Sequence, residues 1–100
     1  MSLLVAFSVA PAGGASDSAS AAVAEAVRVV RESRLPNSTN AMFTNVEGEW
    51  DEVMAVVKAA TMAVAAFSPR VSLVLKADLR AGVQGAITAK VEAVERRLAP

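Results

Sequence analysis

The stretch Glu47-Gly48-Glu49-Trp50-Asp51-Glu52 sets four carboxylates within six residues. Lys76, Asp78 and Arg80 form a second charged knot, spaced at every other residue. A third polar run is Asn37-Ser38-Thr39-Asn40, with Thr44 and Asn45 close behind it. Carboxylates at these places can accept hydrogen bonds from a cationic or amino-bearing ligand, and amides and hydroxyls can donate as well as accept. The chain contains no His, no Cys and no Tyr. That removes zinc sites, disulfides, thiol chemistry and every imidazole base, leaving only Ser, Thr, Lys and carboxylates. No nucleophile sits beside a base. The expectation is therefore a binding protein without catalytic residues, metal or cofactor.

Two readings compete at each group. Glu49, Asp51 and Glu52 fall in a helix's first turn, where its dipole favours negative charge, and Gly48 lets the chain turn from strand to helix. Glu47 lies on the strand side of that glycine and gains little from the dipole; with Thr44 it is a candidate pocket residue. Asp78 is either a solvated rim or intersubunit charge, or a ligand acceptor. The run Asn37–Asn40 is either an edge kept polar against aggregation or the lining of a cleft. Met42 and Phe43 offer an apolar floor beside it, or a hairpin packed into an interface. The Ala12-Gly13-Gly14 turn lacks the ending and spacing of a phosphate loop.

These groups need elements to hold them. Residues 3–10 read as a strand apolar on both faces, ended by Pro11. Ser16, Asp17 and Ser18 are N-cap candidates for a helix to about Ser33, with Val23, Val27 and Val30 on its stripe. Two short strands follow Pro36, near 37–41 and 43–48. A helix starts at Glu49, with Trp50, Val53, Met54, Val57, Ala60, Val64 and Phe67 on its buried face. Residues 70–78 form the last strand. A closing helix carries Val83, Ile87, Val91, Val94 and Leu98 on one stripe.

The order β-α-β-β-α-β plus a helix predicts an α+β fold, a ferredoxin-like sandwich in one domain spanning residues 1–100. Two helices cover only one sheet face. Leu4, Ala6 and Val74 fall on the other, and an apolar patch of that size is rarely left in water. A homo-oligomer, sheet or closing helix covering its counterpart, is expected.

Totals narrow the partners. Ten basic and ten acidic residues cancel, so neither nucleic acid nor an anionic membrane finds the charge it needs. An RNA-binding βαββαβ domain would also show aromatics on the sheet, and only Phe7 lies in a central strand. The N-terminal apolar run has no basic segment before it and is interrupted by Ser8, unlike a secretory leader. No run approaches a membrane span. A cytoplasmic protein is expected.

The segments SVAPAGG, Thr44 to Met54 (TNVEGEWDEVM), Pro69-Arg70-Val71, Lys76 to Arg80 (KADLR) and Lys90 to Leu98 (KVEAVERRL) resemble, in order and spacing, the small thiamine-binding protein family. The resemblance covers nearly the whole chain. Most specific are the Thr-x-x-Glu-Gly-Glu block at Thr44 and the Lys-x-Asp-x-Arg block at Lys76. It implies a ferredoxin-like fold assembled into dimers and commonly tetramers, and binding of thiamine or its hydroxymethylpyrimidine part without turnover. By position, Thr44 and Glu47 fall in the shared strand motif and Asp78 in the last-strand motif. Phe43 stands where similar proteins commonly carry glycine, and Asn37–Asn40 is more polar than the corresponding strand. An aminopyrimidine needs a carboxylate or amide partner and an apolar or aromatic wall. Asn40, Phe43, Thr44, Glu47 and Asp78 are the expected ligand-binding residues. The alternative is a regulatory or assembly module that uses its sheet surface for protein contact and binds no metabolite.

Overall fold

The computed structural model describes residues 1–12, 19–82 and 84–100. The proposed caps Ser16, Asp17 and Ser18, the glycine pair at 13–14 and Val83 lie outside the described residues. In chain order the elements are β1 (Ser2–Pro11), α1 (Ala19–Glu32), β2 (Asn37–Thr39), β3 (Thr44–Gly48), α2 (Trp50–Ala65), β4 (Val71–Arg80) and α3 (Ala86–Leu98). The strands form one sheet in the order β2-β3-β1-β4, each neighbouring pair antiparallel. This is the ferredoxin-like layout.

The alternation of β1 decides which face is which. Leu3, Val5, Phe7 and Val9 are buried and join Val46 of β3, Ala22, Ala26 and Val30 of α1, and Val53, Val57, Ala60 and Val64 of α2 in one core. Leu4, Ala6, Ser8 and Ala10 point to the opposite face and are only half-buried. On that face Leu4 stands between Glu47 of β3 and Asp78 of β4, its partners in the two ladders. Edge strand β4 leaves Leu73, Val74 and Leu79 exposed.

The helical stripes differ in part from the periodicity. In α1 the buried positions are Ala22, Ala26 and Val30, while Val23 is exposed and Val27 half-buried. Alanines let α1 approach α2 and β1 closely, and the bulkier valines turn outward beside the sheet. In α2, Trp50 and Phe67 are exposed although the spacing puts them on the buried face. Trp50 is the first residue of the helix and Phe67 lies beyond its end, where the stripe runs past the core.

The start of α2 answers part of the question raised by its acidic run. The Glu52 carboxylate accepts the Glu49 backbone N–H at 2.8 Å, half of a capping box. A Cβ on Gly48 would stand 2.6 Å from Glu52 Oε1 and 3.3 Å from Val53 Cγ2. Gly48 is therefore the space through which Glu52 folds back to the cap.

Candidate functional site

The sequence candidates separate into two places. Asn40, Phe43 and Thr44 line a hollow of about 190 Å3 between the N-terminal half of α1, the end of β1 and the β2–β3 turn. Glu47 and Asp78 sit on the opposite sheet face, under α3.

The hollow exists because β2 is short. With only Asn37–Thr39 in that edge strand, the outer flank of α1 has no sheet beneath it, and Val23 and Val27 form a wall instead of a core contact. Phe7 and Thr44, opposite each other in the β1–β3 ladder, form the floor. Both are buried. Phe43 is half-buried and Met42 is exposed at the mouth.

Asn40 builds the turn that carries them. Its Oδ1 accepts the backbone N–H groups of Met42 and Phe43, both at 2.9 Å. Its own N–H donates to the Phe43 carbonyl at 3.0 Å. An Asx side chain standing in for backbone in this way is a well-defined turn, so Asn40 fixes where Phe43 points. The rest of the polar run is spent locally: Asn37 Nδ2 donates to the Leu35 carbonyl at 2.8 Å, and Asn45 Nδ2 to Ser38 Oγ at 3.2 Å. Thr39 adds a hydroxyl to the lining, and none of the described lining residues is charged. Such a hollow suits a flat, neutral, hydrogen-bonding ring.

Glu47 has a different setting. It is 3% exposed. Its Oε2 accepts the Ser2 hydroxyl at 2.8 Å and the Ala86 N–H at 2.9 Å, and its Oε1 accepts the Ile87 N–H at 3.2 Å. Gly85, in the left-handed conformation at φ 70°, begins α3 and has no side chain to cap it. Glu47 performs the capping from the neighbouring sheet, with its charge against the positive end of the helix dipole. Asp78, one strand beyond Leu4, pairs with Lys90 of α3 and lies 3.7 Å from Arg80 Nε. The Lys90 hydrogen bond holds its carboxyl below the ordinary carboxylate range; desolvation opposes it, and the charges of Lys90, Arg80 and Lys76 add weaker attractions. Two carboxylates in one row across three strands thus fasten the start of α3 to the sheet, Glu47 at its first turn and Asp78 through Lys90 at its second.

A further hollow of about 300 Å3 opens beside Leu35 and Pro36 and includes Glu47, Glu49 and Glu52. Two of its three carboxylates are occupied as helix caps. Among the described residues no group of three or more metal-ligating side chains could hold an ion. Sequence reasoning did not find Phe7, Val23 and Val27 as lining residues, because an apolar residue on a helix stripe or a central strand reads as core. The signal available was the shortness of the polar stretch after Pro36.

The family model described as Thiamine-binding protein matches residues 5–95. UPF0045 protein Mb1933 of Mycobacterium bovis is 59% identical over 99 residues, covering 98% of this chain and 96% of that protein. UPF0045 protein sll0230 of Synechocystis is 38% identical over 74 residues, covering 73% of this chain and 61% of its own length. Among solved structures, protein MJ1052 of Methanocaldococcus jannascii superposes with a TM-score of 0.83 at 32% identity, covering 94% of this chain and 96% of that one. A Thermotoga maritima protein named for thiamine biosynthesis or salvage superposes with a TM-score of 0.77 at 22% identity, covering 92% and 99%; at that identity it speaks to the fold alone. With nearly its whole length matched, the chain belongs to the thiamine-binding protein family.

Proposed function

We propose that this protein binds thiamine, or the hydroxymethylpyrimidine that forms part of it, without turning it over, in a cytoplasmic homo-oligomer. The observation that carries the reading is the uncharged hollow lined by Phe7, Val27, Asn40, Phe43 and Thr44, taken with the family match. Its volume of about 190 Å3 is below the roughly 300–1,000 Å3 of pockets that enclose drug-sized ligands. A hollow of that size matches a single pyrimidine ring better than two linked rings. Burying a cation with no carboxylate to pair it is costly, so the neutral aminopyrimidine is the part that enters and the thiazolium stays in solvent. Phe43 supplies an aromatic wall, and Thr39, Thr44 and the Asn40 Nδ2 supply hydrogen-bonding groups. Glu47 is not needed for this role, because its oxygens serve α3.

Isothermal titration with thiamine, hydroxymethylpyrimidine and the isolated thiazolium tests the reading. Saturable binding of the first two and none of the third is expected, with Phe43→Ala weakening both. No heat from a well-folded oligomer with any of them would move the assignment to the alternative, an assembly module. The exposed apolar surface of α3 supports that second reading.

A further inference from the structure

The β2–β3 turn leaves the hollow with an uneven set of hydrogen-bonding atoms. A side-chain amide has one oxygen that accepts and one NH2 group that only donates. In Asn40 the oxygen is spent, since it takes the Met42 and Phe43 N–H groups, both at 2.9 Å. Those two bonds also fix which end of the amide is the oxygen. The Nδ2 group makes no hydrogen bond among the described residues, and Asn40 lines the hollow. What this side chain can present to a ligand is therefore a donor.

Thr44 supplies the other unused atom. It lies opposite Phe7 in the β1–β3 ladder and is 8% exposed. Its hydroxyl has no hydrogen-bond partner among the described residues. No fully sealed side-chain polar atom of those residues lacks a partner, so the Thr44 oxygen opens on the hollow that it lines. A hydroxyl can accept from a ligand as well as donate to it.

We infer that the hollow takes a heteroaromatic amine only while its ring is unprotonated: Asn40 Nδ2 donates to the lone pair of a ring nitrogen, and Thr44 Oγ1 accepts from the neighbouring amino group. This rests on the proposed aminopyrimidine site and adds the charge state selected and the two residues that select it. Protonating the ring nitrogen sets an N–H against the Asn40 NH2 group, donor facing donor. It also brings charge into a lining that has none. The surrounding elements offer no relief. The described lining residues from β1 and the β2–β3 turn are uncharged. On α1, Arg28 and Arg31 stand on the outer flank beyond Val23 and Val27, where they repel a cation. Glu25 and Glu32 lie about half a turn round the helix from Val23, and Glu25 is paired with Arg28 at 3.3 Å.

Isothermal titration with hydroxymethylpyrimidine tests this, repeated from neutral pH down through the range in which its ring takes up a proton. Once the unprotonated ring is the minor form, the apparent Kd is expected to rise about tenfold per pH unit, following the fraction left competent to bind. Trp50 fluorescence at each pH checks that the fold is intact. Asn40→Asp keeps an oxygen for the Met42 and Phe43 amides, since Asp forms the same turn, and exchanges the donor for an anion. It is expected to bind the unprotonated ring about tenfold more weakly and to gain affinity as pH falls, the reverse of the wild type. Thr44→Val, close to it in shape, is expected to weaken the aminopyrimidine several-fold and to leave a methylpyrimidine without the amino group unaffected. Wild-type affinity that stays level across the pH series in folded protein overturns this inference and leaves the pyrimidine site standing. So does a folded Asn40→Asp variant with the wild-type pH dependence. No saturable binding of hydroxymethylpyrimidine at neutral pH overturns both.

Discussion

At the scale of single residues, Glu47 and Glu52 do similar work for two different helices. Each carboxylate accepts backbone N–H groups at a helix start, Glu52 for α2 and Glu47 for α3. Glu47→Ala removes the acceptor for two amides and the Ser2 hydroxyl at once. A charged acceptor of this kind contributes roughly 1.5–3 kcal/mol, and a loss of about that size is expected in chemical denaturation. Glu47→Gln keeps one oxygen and loses less. The ligand affinity proposed for the hollow beside Phe43 is expected to survive both, which titration of the variants checks. Gly48→Ala drives a Cβ into the returning Glu52 carboxylate, and loss of that cap is expected to cost about 0.5–2 kcal/mol. Much of this was legible beforehand, since acidic residues in the first turn of α2 announce a helix start. Glu47 was not, because its partners lie 39 and 40 residues further along the chain. From sequence alone a buried carboxylate serving as a distant cap looks the same as one serving a ligand.

At the scale of elements, the order of strands and helices follows from alternation and periodicity, while the faces of α1 do not. Periodicity favours Val23, Val27 and Val30; packing chose Ala22, Ala26 and Val30, because the contact between α1 and α2 rewards small side chains. That choice frees Val23 and Val27 to wall the hollow, so the candidate site exists through a departure from the simplest stripe. Ala22 has no exposed surface, and Ala22→Leu is expected to cost about 1–3 kcal/mol through overpacking, measured as a lower denaturation midpoint. The link between β4 and α3 is tied to pH. The Asp78 carboxyl is held below its ordinary value, first by its hydrogen bond to Lys90, so the folded chain binds that proton less readily than the unfolded one. Its contribution is therefore complete above about pH 4, the ordinary carboxylate value, and is lost as pH falls from there through the lowered folded value. Asp78→Asn removes this part of the acid dependence. The protection factor of the α3 amides around Lys90, which corrects for the intrinsic slowing of exchange in acid, is expected to fall below about pH 4 in the wild type and to be less pH-sensitive in the variant.

At the scale of the molecule, the core and the exposed apolar surface have to be explained together. Over half of the sequence is apolar, 54%, above the usual 45–50%. The excess is visible outside the core: Leu73, Val74 and Leu79 on β4, and Val91, Val94 and Leu98 on α3. The chain is also extended for its length, with a radius of gyration of 14.8 Å against about 13 Å for a compact domain of 100 residues. A helix held at its root and exposed along the rest accounts for both facts. Such a chain gains stability from whatever covers it. If the cover is a second copy, folding and association are linked by mass action, and the folded assembly is favoured as chain concentration rises. Each tenfold increase in concentration adds about 1.4 kcal/mol of driving force to dimer formation. The thermal midpoint is therefore expected to climb by several degrees across a hundredfold concentration series, and Val94→Asp is expected to flatten that climb while lowering the midpoint. A midpoint independent of concentration from the micromolar range upward, together with a single-chain mass, would mean that these apolar residues stay in water and that the hollow beside Phe43 belongs to a monomer.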